Sequence, residues 1–173
     1  MAELNYVRVT GNDKIYLGSS AVLNESSIIT AFADGDYARI SFPNDIMNFT
    51  IGKNRNMIAA YNAMGTLAEL ELRLLRGSKE DAFLNNHFPK AEDDQLSFDF
   101  LFAKIEKSLG KSSSGAGDTG ITETYVLDNG IITKAPEIIS NVSGSTDQGV
   151  VVWQVRFAKF NRIVDGIDGT DLA

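Results

Sequence analysis

The sequence contains no cysteine, only one histidine and only one tryptophan among its 173 residues. Without cysteine the chain forms no disulfides, uses no thiolate nucleophile and binds no cysteine-ligated zinc. With a single histidine, a metal site would have to be built from carboxylates. We therefore expect stability to come from packing or from assembly with other chains.

Long apolar runs are also missing. No stretch approaches the roughly 18 residues needed for a membrane-spanning helix. The segment MAELNYVRV lacks a basic region followed by an apolar one, so no signal peptide is expected. A length of 173 residues predicts one domain, 1–173, that is large enough to bury its own core.

The charge balance is acidic, with 23 Asp and Glu against 16 Lys and Arg, which gives a formal charge of −7. Binding of nucleic acid depends on Lys and Arg replacing the counterions of phosphates, so this chain is expected to repel a duplex. Solubility alone is the simpler interpretation of the acidity.

The clearest pattern is the alternation in TLAELELRLL, residues 66–75. One face carries Ala68, Leu70, Leu72 and Leu74, and the other carries mostly charged residues. A period of two predicts a strand with one core face and one solvent face. Leu and Glu also favour helices, which leaves a helix as the alternative. Residues 150–160 predict a second long strand with Val151, Trp153, Val155 and Phe157 on its core face.

Turn residues predict two hairpins. Residues 37–42 are predicted to form a strand that pairs with residues 48–51 after a turn that begins at Pro43. Gly52-Lys53-Asn54 is predicted to turn the chain again. Residues 122–135 are predicted as a second hairpin around Asp128-Asn129-Gly130, because Asn-Gly favours a tight turn with positive φ.

Helical signals are fewer. Ser78 and Asp81 resemble a capping box that begins a helix, which Pro89 ends or kinks. A second helix is predicted over 93–109, although the alternation in 96–102 leaves a strand as the alternative. The region 89–121 is interpreted as an inserted helix and loop, and 165–173 as a mobile C-terminal tail. The predicted fold class is mainly β (α+β): an antiparallel barrel or sandwich with a flanking α-helix.

Candidate catalytic groups are weak. His87 follows a predicted helix, where a cation suits the helix dipole, and no triad partner is evident. Glu69 and Glu71 lie on one strand face about 7 Å apart, a spacing open to a glycosidase pair, but no aromatic platform accompanies them. We therefore expect a protein that is not an enzyme, with no cofactor and no metal.

Several segments resemble the small tail tube proteins of contractile-tailed bacteriophages. They are FADGD (32–36), DIMNFTIG (45–52), NAMGTLAELELRLL (62–75), SKEDAFLNNHF (78–88), the predicted hairpin around Asp128-Asn129-Gly130 and VVVWQVRFAKF (150–160). Residues 52–56 replace a Gly-rich turn of that pattern. A tube-initiating baseplate ring, or the tube of a related contractile injection system, is an alternative within the same group.

The resemblance implies a structural virion protein of the phage tail, made in the host cytoplasm. It implies a tail-tube-like fold that assembles as hexameric rings, which stack into a hollow inner tube. DNA passes through the tube without specific binding. The implied partners are other copies of the chain, the tail sheath protein, the tape-measure protein and baseplate proteins, with no membrane involved.

Wet strand faces suit the wall of such a channel. Candidate lumen-facing residues are Glu69, Glu71, Arg39, Gln154 and Arg156, since carboxylates repel passing phosphates. The loops at 110–120 and 140–149 are candidate contacts between rings or with the sheath, and the residues chosen there are Ser112, Ser113, Ser114, Asn141 and Ser143.

Two other function classes stay open. A β-sandwich binding module, for carbohydrate or as a baseplate adaptor, requires an exposed aromatic cluster, whereas the pattern places Trp153 in the core. A small carboxylate-dependent hydrolase requires a pocket that joins Glu69 or Glu71 to another acid. Rings or tubes seen by microscopy would separate assembly from both.

Overall fold

A six-stranded antiparallel sheet and a separate two-stranded hairpin account for most of the chain described by the computed structural model, which covers residues 13–88, 99–112 and 119–165. The sheet order is β1-β6-β7-β8-β5-β2, and the hairpin is β3-β4. The elements are β1 (Lys14–Gly18), β2 (Ala38–Ser41), β3 (Met47–Ile51), β4 (Met57–Tyr61), β5 (Ala68–Leu75), α1 (Lys79–Asn86), β6 (Leu101–Ser112), β7 (Thr119–Ile132) and β8 (Val150–Asp165). The predicted mainly β, antiparallel class with a flanking helix is confirmed.

The core lies where the two alternating patterns placed it. β5 and β8 pair antiparallel, with Leu72 opposite Trp153 and Leu70 opposite Val155. The predicted core residues of both strands are buried: Ala68, Leu70, Leu72, Leu74, Val151, Trp153, Val155 and Phe157. Strand geometry therefore prevails over the helix propensity of Leu and Glu in β5, because each strand has an apolar partner face.

Helix α1 is joined to the sheet through Asp81. Ser78 is the N-cap, and its Oγ accepts the Asp81 backbone N–H at 3.2 Å. Asp81 accepts the Gly77 N–H at 2.8 Å, and its other oxygen accepts Trp153 Nε1–H at 2.8 Å. The predicted capping box is thus half formed, because its acid reaches Gly77 and the core tryptophan instead of Ser78. Leu84 is the buried residue of α1 and lies on the side of the helix that packs on the core.

The hairpin predicted at 122–135 is wrong. β7 continues from Thr119 to Ile132 and pairs with β8 on both sides of Asn129, which has a φ of 56°. A single left-handed residue inside a strand kinks it without reversing it. The buried positions of β7 switch there from odd to even residue numbers: Leu127 is buried before the bend, and Gly130 and Ile132 are buried after it. The Asn-Gly signal therefore marks a bend in the sheet.

Gly130 is required because Phe157 packs directly over it. A Cβ atom at Gly130 would lie 2.4 Å from Cε1 of the fully buried Phe157 ring. We expect Gly130→Ala to destabilise the fold by about 1–3 kcal/mol, as overpacking of a filled core does. Gly149→Ala is the matched control, because nothing lies within 4 Å of its added Cβ. Urea unfolding measures both; equal stabilities would show that the Phe157 ring yields freely.

The second predicted helix, over 93–109, is wrong in its described part. Residues 101–109 belong to β6, which pairs with β1 on one side and β7 on the other. The alternative prediction, a strand suggested by the alternation in 96–102, is correct for residues 101–102, which begin β6. Residues 93–98 and 113–118 lie outside the described residues, as does the tail from residue 166. Residues 110–112 and 119–120 of the predicted loop are strand.

The first predicted hairpin is also wrong in its partner. β3 pairs with β4, Phe49 opposite Ala59 and Ile51 opposite Met57, and it does not pair with β2. The turn predicted at Gly52-Lys53-Asn54 is confirmed, closing a five-residue loop in which Gly52 N–H donates to the Asn56 carbonyl at 2.8 Å. β2 instead pairs with β5, so its other edge has no strand partner in the described ranges.

The sheet is strongly curved. Phe42, just after β2, packs its ring 4.3 Å from that of Phe160 in β8 and 6.2 Å from that of Tyr125 in β7. Residues 28–33 connect the edge strand β1 to β5: the Ile29 N–H donates to the Ile15 carbonyl of β1 at 2.8 Å, and the Ala33 N–H donates to the Arg73 carbonyl of β5 at 3.0 Å. The curvature leaves a cleft between β2 and strands β1, β6 and β7.

Candidate assembly surfaces

The β3-β4 hairpin carries one entirely apolar face. The cross-strand register places six residues on this face: Met47, Phe49, Ile51, Met57, Ala59 and Tyr61. We refer to these six residues as the apolar hairpin face. Its five large side chains are between 51% and 66% exposed. The opposite face carries Asn48, Thr50, Ile58 and Ala60. Every residue from 45 to 61 is exposed, so the hairpin stands clear of the core.

Hydrogen bonds at the base fix how the hairpin leaves the sheet. The Asn62 N–H donates to the Ile46 carbonyl at 2.8 Å, and its Nδ2 donates to the Asp45 carbonyl at 2.9 Å. Asn44 Nδ2 donates to the Met64 carbonyl at 3.1 Å. Gly65 is buried against the segment that leads into β3, since a Cβ atom there would lie 2.5 Å from the Asp45 carbonyl oxygen. The base is therefore locked.

A bare hairpin of this composition is unfavourable in water. An isolated two-stranded hairpin is at best marginally stable, and large exposed apolar patches on soluble proteins mark interaction sites. Fully burying a side chain such as Phe, Ile or Met contributes about 1.5–3 kcal/mol. The apolar hairpin face therefore offers a large gain to any partner that covers it.

The five residues predicted to face a channel lie together on one surface. Glu69 and Glu71 of β5 point away from the core, with Arg39 of β2 opposite Glu71. On the β8 side, Arg156 Nε lies 2.8 Å from Glu69 Oε1, and Gln154 Nε2 donates to Glu71 Oε2 at 3.5 Å. We call the outward side chains of β2, β5 and β8 the polar sheet face. Whether it lines a channel stays a prediction.

The charges on the polar sheet face nearly cancel. Arg39, Arg73 and Arg156 stand against Glu69 and Glu71, so three cations and two anions leave a formal charge of +1. The expected excess of carboxylates is therefore absent from these strands, although the whole chain carries −7. The overall acidity of the chain led to the prediction that this face repels phosphate. The charged residues of the face itself do not support that prediction.

Residues 133–149 form a long loop that Arg76 clamps at both ends; we call it the clamped loop. The Arg76 guanidinium donates to the carbonyls of Glu137 and Val150 at 3.1 Å each and to that of Gln148 at 3.2 Å. Within the loop, Asn141 Oδ1 accepts the Ser143 N–H at 2.7 Å and the Ser143 hydroxyl at 2.5 Å. Asn141 and Ser143, predicted as contact residues, thus shape the turn.

Apolar side chains are the exposed feature of the clamped loop. Ile138, Ile139 and Val142 all project into solvent. These residues were missed by sequence reasoning, which chose polar neighbours. Of the other predicted contacts, Ser112 is the last residue of β6, and Ser113 and Ser114 lie outside the described residues. The chain therefore exposes a second apolar surface, separate in sequence from the hairpin.

An ion pair links the distal parts of β7 and β8. Arg162 Nε lies 2.6 Å from Glu123 Oε1. Burial alone would raise the pKa of Glu123, but hydrogen bonds from Arg162 and Tyr125 outweigh it and hold that pKa below its ordinary value. Burial, and then the hydrogen bond to Glu123, raises the pKa of Tyr125. The Glu123 contribution to stability is present above its unfolded pKa and is lost as pH falls through the lowered one.

The candidate catalytic groups have structural partners. His87 is the C-cap of α1, where its Nδ1 lies 2.9 Å from the Phe83 carbonyl and its ring packs on that of Phe83 at 4.3 Å. Trp153 is buried, so it offers no sugar platform. Glu69 and Glu71 bond to Arg156 and Gln154 respectively. In residues 13–88, 99–112 and 119–165, no group of three or more His, Asp or Glu is placed to hold a metal.

Comparison with known proteins leaves the chain without an assigned family. No protein-family model matches it, and no curated protein matches it. None of the helices in the described ranges has the length and apolar character needed to cross a membrane.

Proposed function

We propose that this chain is a structural subunit that assembles with copies of itself, through its β3-β4 hairpin, into stacked rings. The rings form the inner tail tube of a contractile-tailed bacteriophage or of a related contractile injection device. The observation that carries the proposal is the apolar hairpin face, which is presented on a locked base and has no cover in the described chain.

Two further features support self-assembly. The hairpin and the clamped loop are different surfaces of one chain, and contacts between different surfaces on identical subunits generate rings or filaments. Within the part of the chain that the structure describes, β2 also has one edge without a strand partner. Such an edge pairs readily with another chain, and a closed ring satisfies it without uncontrolled aggregation.

The polar sheet face is the proposed bore lining. Arg156 pairs with Glu69 at 2.8 Å, and the five charges named above sum to a formal +1, so this face presents little net field to a passing polyanion. Little net charge means few released counterions and weak binding of DNA. In this proposal the sheath, tape-measure and baseplate proteins contact the remaining surfaces, and six copies form each ring, as the resemblance to tail tube proteins implies.

Negative-stain microscopy and sedimentation velocity of the purified full chain test the proposal. We expect rings or tubes whose amount increases steeply with protein concentration, because each copy covers the hairpin of a neighbour. A chain that sediments as a monomer at millimolar concentration would contradict it and favour a binding module.

A further inference from the structure

The cleft behind β2 has a mainly apolar lining that includes four charged residues. It has a volume of about 560 Å³ and lies between β2 and strands β1, β6 and β7. Its apolar and aromatic lining includes Ile15, Tyr37, Ile40, Phe42, Ile105 and Tyr125. A concave, mainly apolar site with a few polar groups is the general form of a binding site.

The charged residues that line this cleft are mostly anions. Asp13, Asp36 and Glu123 stand against Lys107, so three carboxylates and one ammonium give a formal −2. Arg39 and Arg162, which pair with Asp36 and Glu123, do not belong to the lining. Asp13 binds Lys107 through Oδ2 at 3.4 Å, whereas its buried Oδ1 has no partner in the described chain.

The hairpin has the opposite charge. Residues 46–64 contain no Asp or Glu, and their only charged residues are Lys53 and Arg55, both at the far tip. Both side chains are exposed. Arg55 is held in a left-handed conformation with a φ of 61°, and its N–H donates to the Gly52 carbonyl at 3.0 Å. The tip therefore presents a formal +2 next to the apolar hairpin face.

The hairpin does not occupy the cleft of its own chain. The residues of both its strands are all exposed, and β3 and β4 pack mainly against each other. The receiving chain must therefore be another copy. We propose that the hairpin of one copy enters the cleft behind β2 of the next copy, with Lys53 and Arg55 at its mouth against Asp36, whose side chain is exposed. This inference rests on the proposed function, for which it supplies the receiving site.

Charge reversal on the full chain tests the pairing. We expect Lys53→Glu with Arg55→Glu to raise the concentration at which rings form by about tenfold or more, because two attractive contacts become repulsive. Adding Asp36→Lys to that variant should recover most of the loss. Asp36 is suited to this because its side chain is 81% exposed and its pairing with Arg39 is a surface one. The pairing would be overturned if the Lys53→Glu and Arg55→Glu changes left the ring-forming concentration unchanged, or if adding Asp36→Lys did not restore it.

Cysteine crosslinking gives an independent readout. Because the chain has no native cysteine, every disulfide comes from the introduced residues. We expect a mixture of Asp36→Cys and Lys53→Cys chains to form a mixed disulfide, identified by mass spectrometry, far faster than the control mixture of Asn141→Cys and Lys53→Cys. Disulfides require Cα atoms within about 7 Å, so the reaction reports close approach.

The outcomes separate this inference from the proposed function. Wild-type rings together with equal crosslinking in both mixtures would overturn the cleft as the receiving site and leave assembly standing. A wild-type chain that never assembles would overturn both.

Discussion

Replacing Phe49, Ile51 and Met57 together by threonine is expected to abolish rings and tubes while leaving the folded monomer unchanged. The three side chains are 66%, 61% and 66% exposed, so the monomer loses few contacts. Threonine keeps the β propensity of the strands. If a neighbour covers the exposed two thirds of all three side chains, their loss removes about 3–5 kcal/mol from each contact, a change of at least about a hundredfold in affinity.

Sedimentation velocity and microscopy measure the assembly, and thermal unfolding measures the monomer. Asn48→Thr is the first control, because it changes the other face of the same hairpin. Val22→Thr is the second, because it removes a comparably exposed apolar side chain elsewhere. We expect both controls to assemble like the wild type. A triple variant that still forms tubes would show that subunits join through a different surface.

Asp81→Ala is expected to cost about 2–4 kcal/mol of unfolding free energy. One oxygen of Asp81 accepts Trp153 Nε1–H and the other accepts the Gly77 N–H, so a single carboxylate joins the helix start to the core. Leaving the indole N–H buried without an acceptor costs about 1–3 kcal/mol, and losing a helix-capping contact costs about 1 kcal/mol. At this chain length, the melting temperature should fall by roughly 10 °C.

Urea unfolding in the non-assembling hairpin variant gives the cleanest measurement, because assembly otherwise contributes to apparent stability. The matched variant is Asp81→Ala with Trp153→Phe, which also removes the indole N–H. We expect this pair to cost at least about 1 kcal/mol less than the sum of the single changes. Additive losses would mean that the bond between Asp81 and Trp153 contributes nothing to the coupling of helix and sheet.

The parts of the fold predictable from sequence are those with an unambiguous local pattern. β5 alternates over its whole length and β8 over residues 150–157, and their buried residues follow that alternation. Because β5 and β8 pair, the five residues chosen for their polar faces come together. The helix start at Ser78 is also readable, since capping is a local interaction.

The errors arise where two structures share one local pattern. Asn129-Gly130 permits positive φ at either a turn or a bend, and only the Phe157 ring packed on Gly130 decides for the bend. Residues 101–109 contain both helix formers and alternation, and pairing with β1 and β7 selects the strand.

The proposed assembly surface was not predicted for a related reason. Residues 47–51 alternate strictly between apolar and polar, but such a pattern is the same for a core face and an exposed one, and residues 57–61 do not alternate. Apolar residues in a sequence are ordinarily assigned to the core, so nothing local indicates that Phe49 and Met57 are exposed. The signal that was available is the sparse charge of residues 46–64, confined to Lys53 and Arg55.

The basic tip of the hairpin has a consequence for newly made chains. A strand pair with an exposed apolar face is prone to aggregation until another chain covers it. Charged residues that flank such a face reduce non-specific association. Lys53 and Arg55 lie in the exposed five-residue turn, where they impose like-charge repulsion on two tips that meet head-on. The same two cations that favour the correct neighbour would therefore keep free subunits from clumping tip to tip during synthesis.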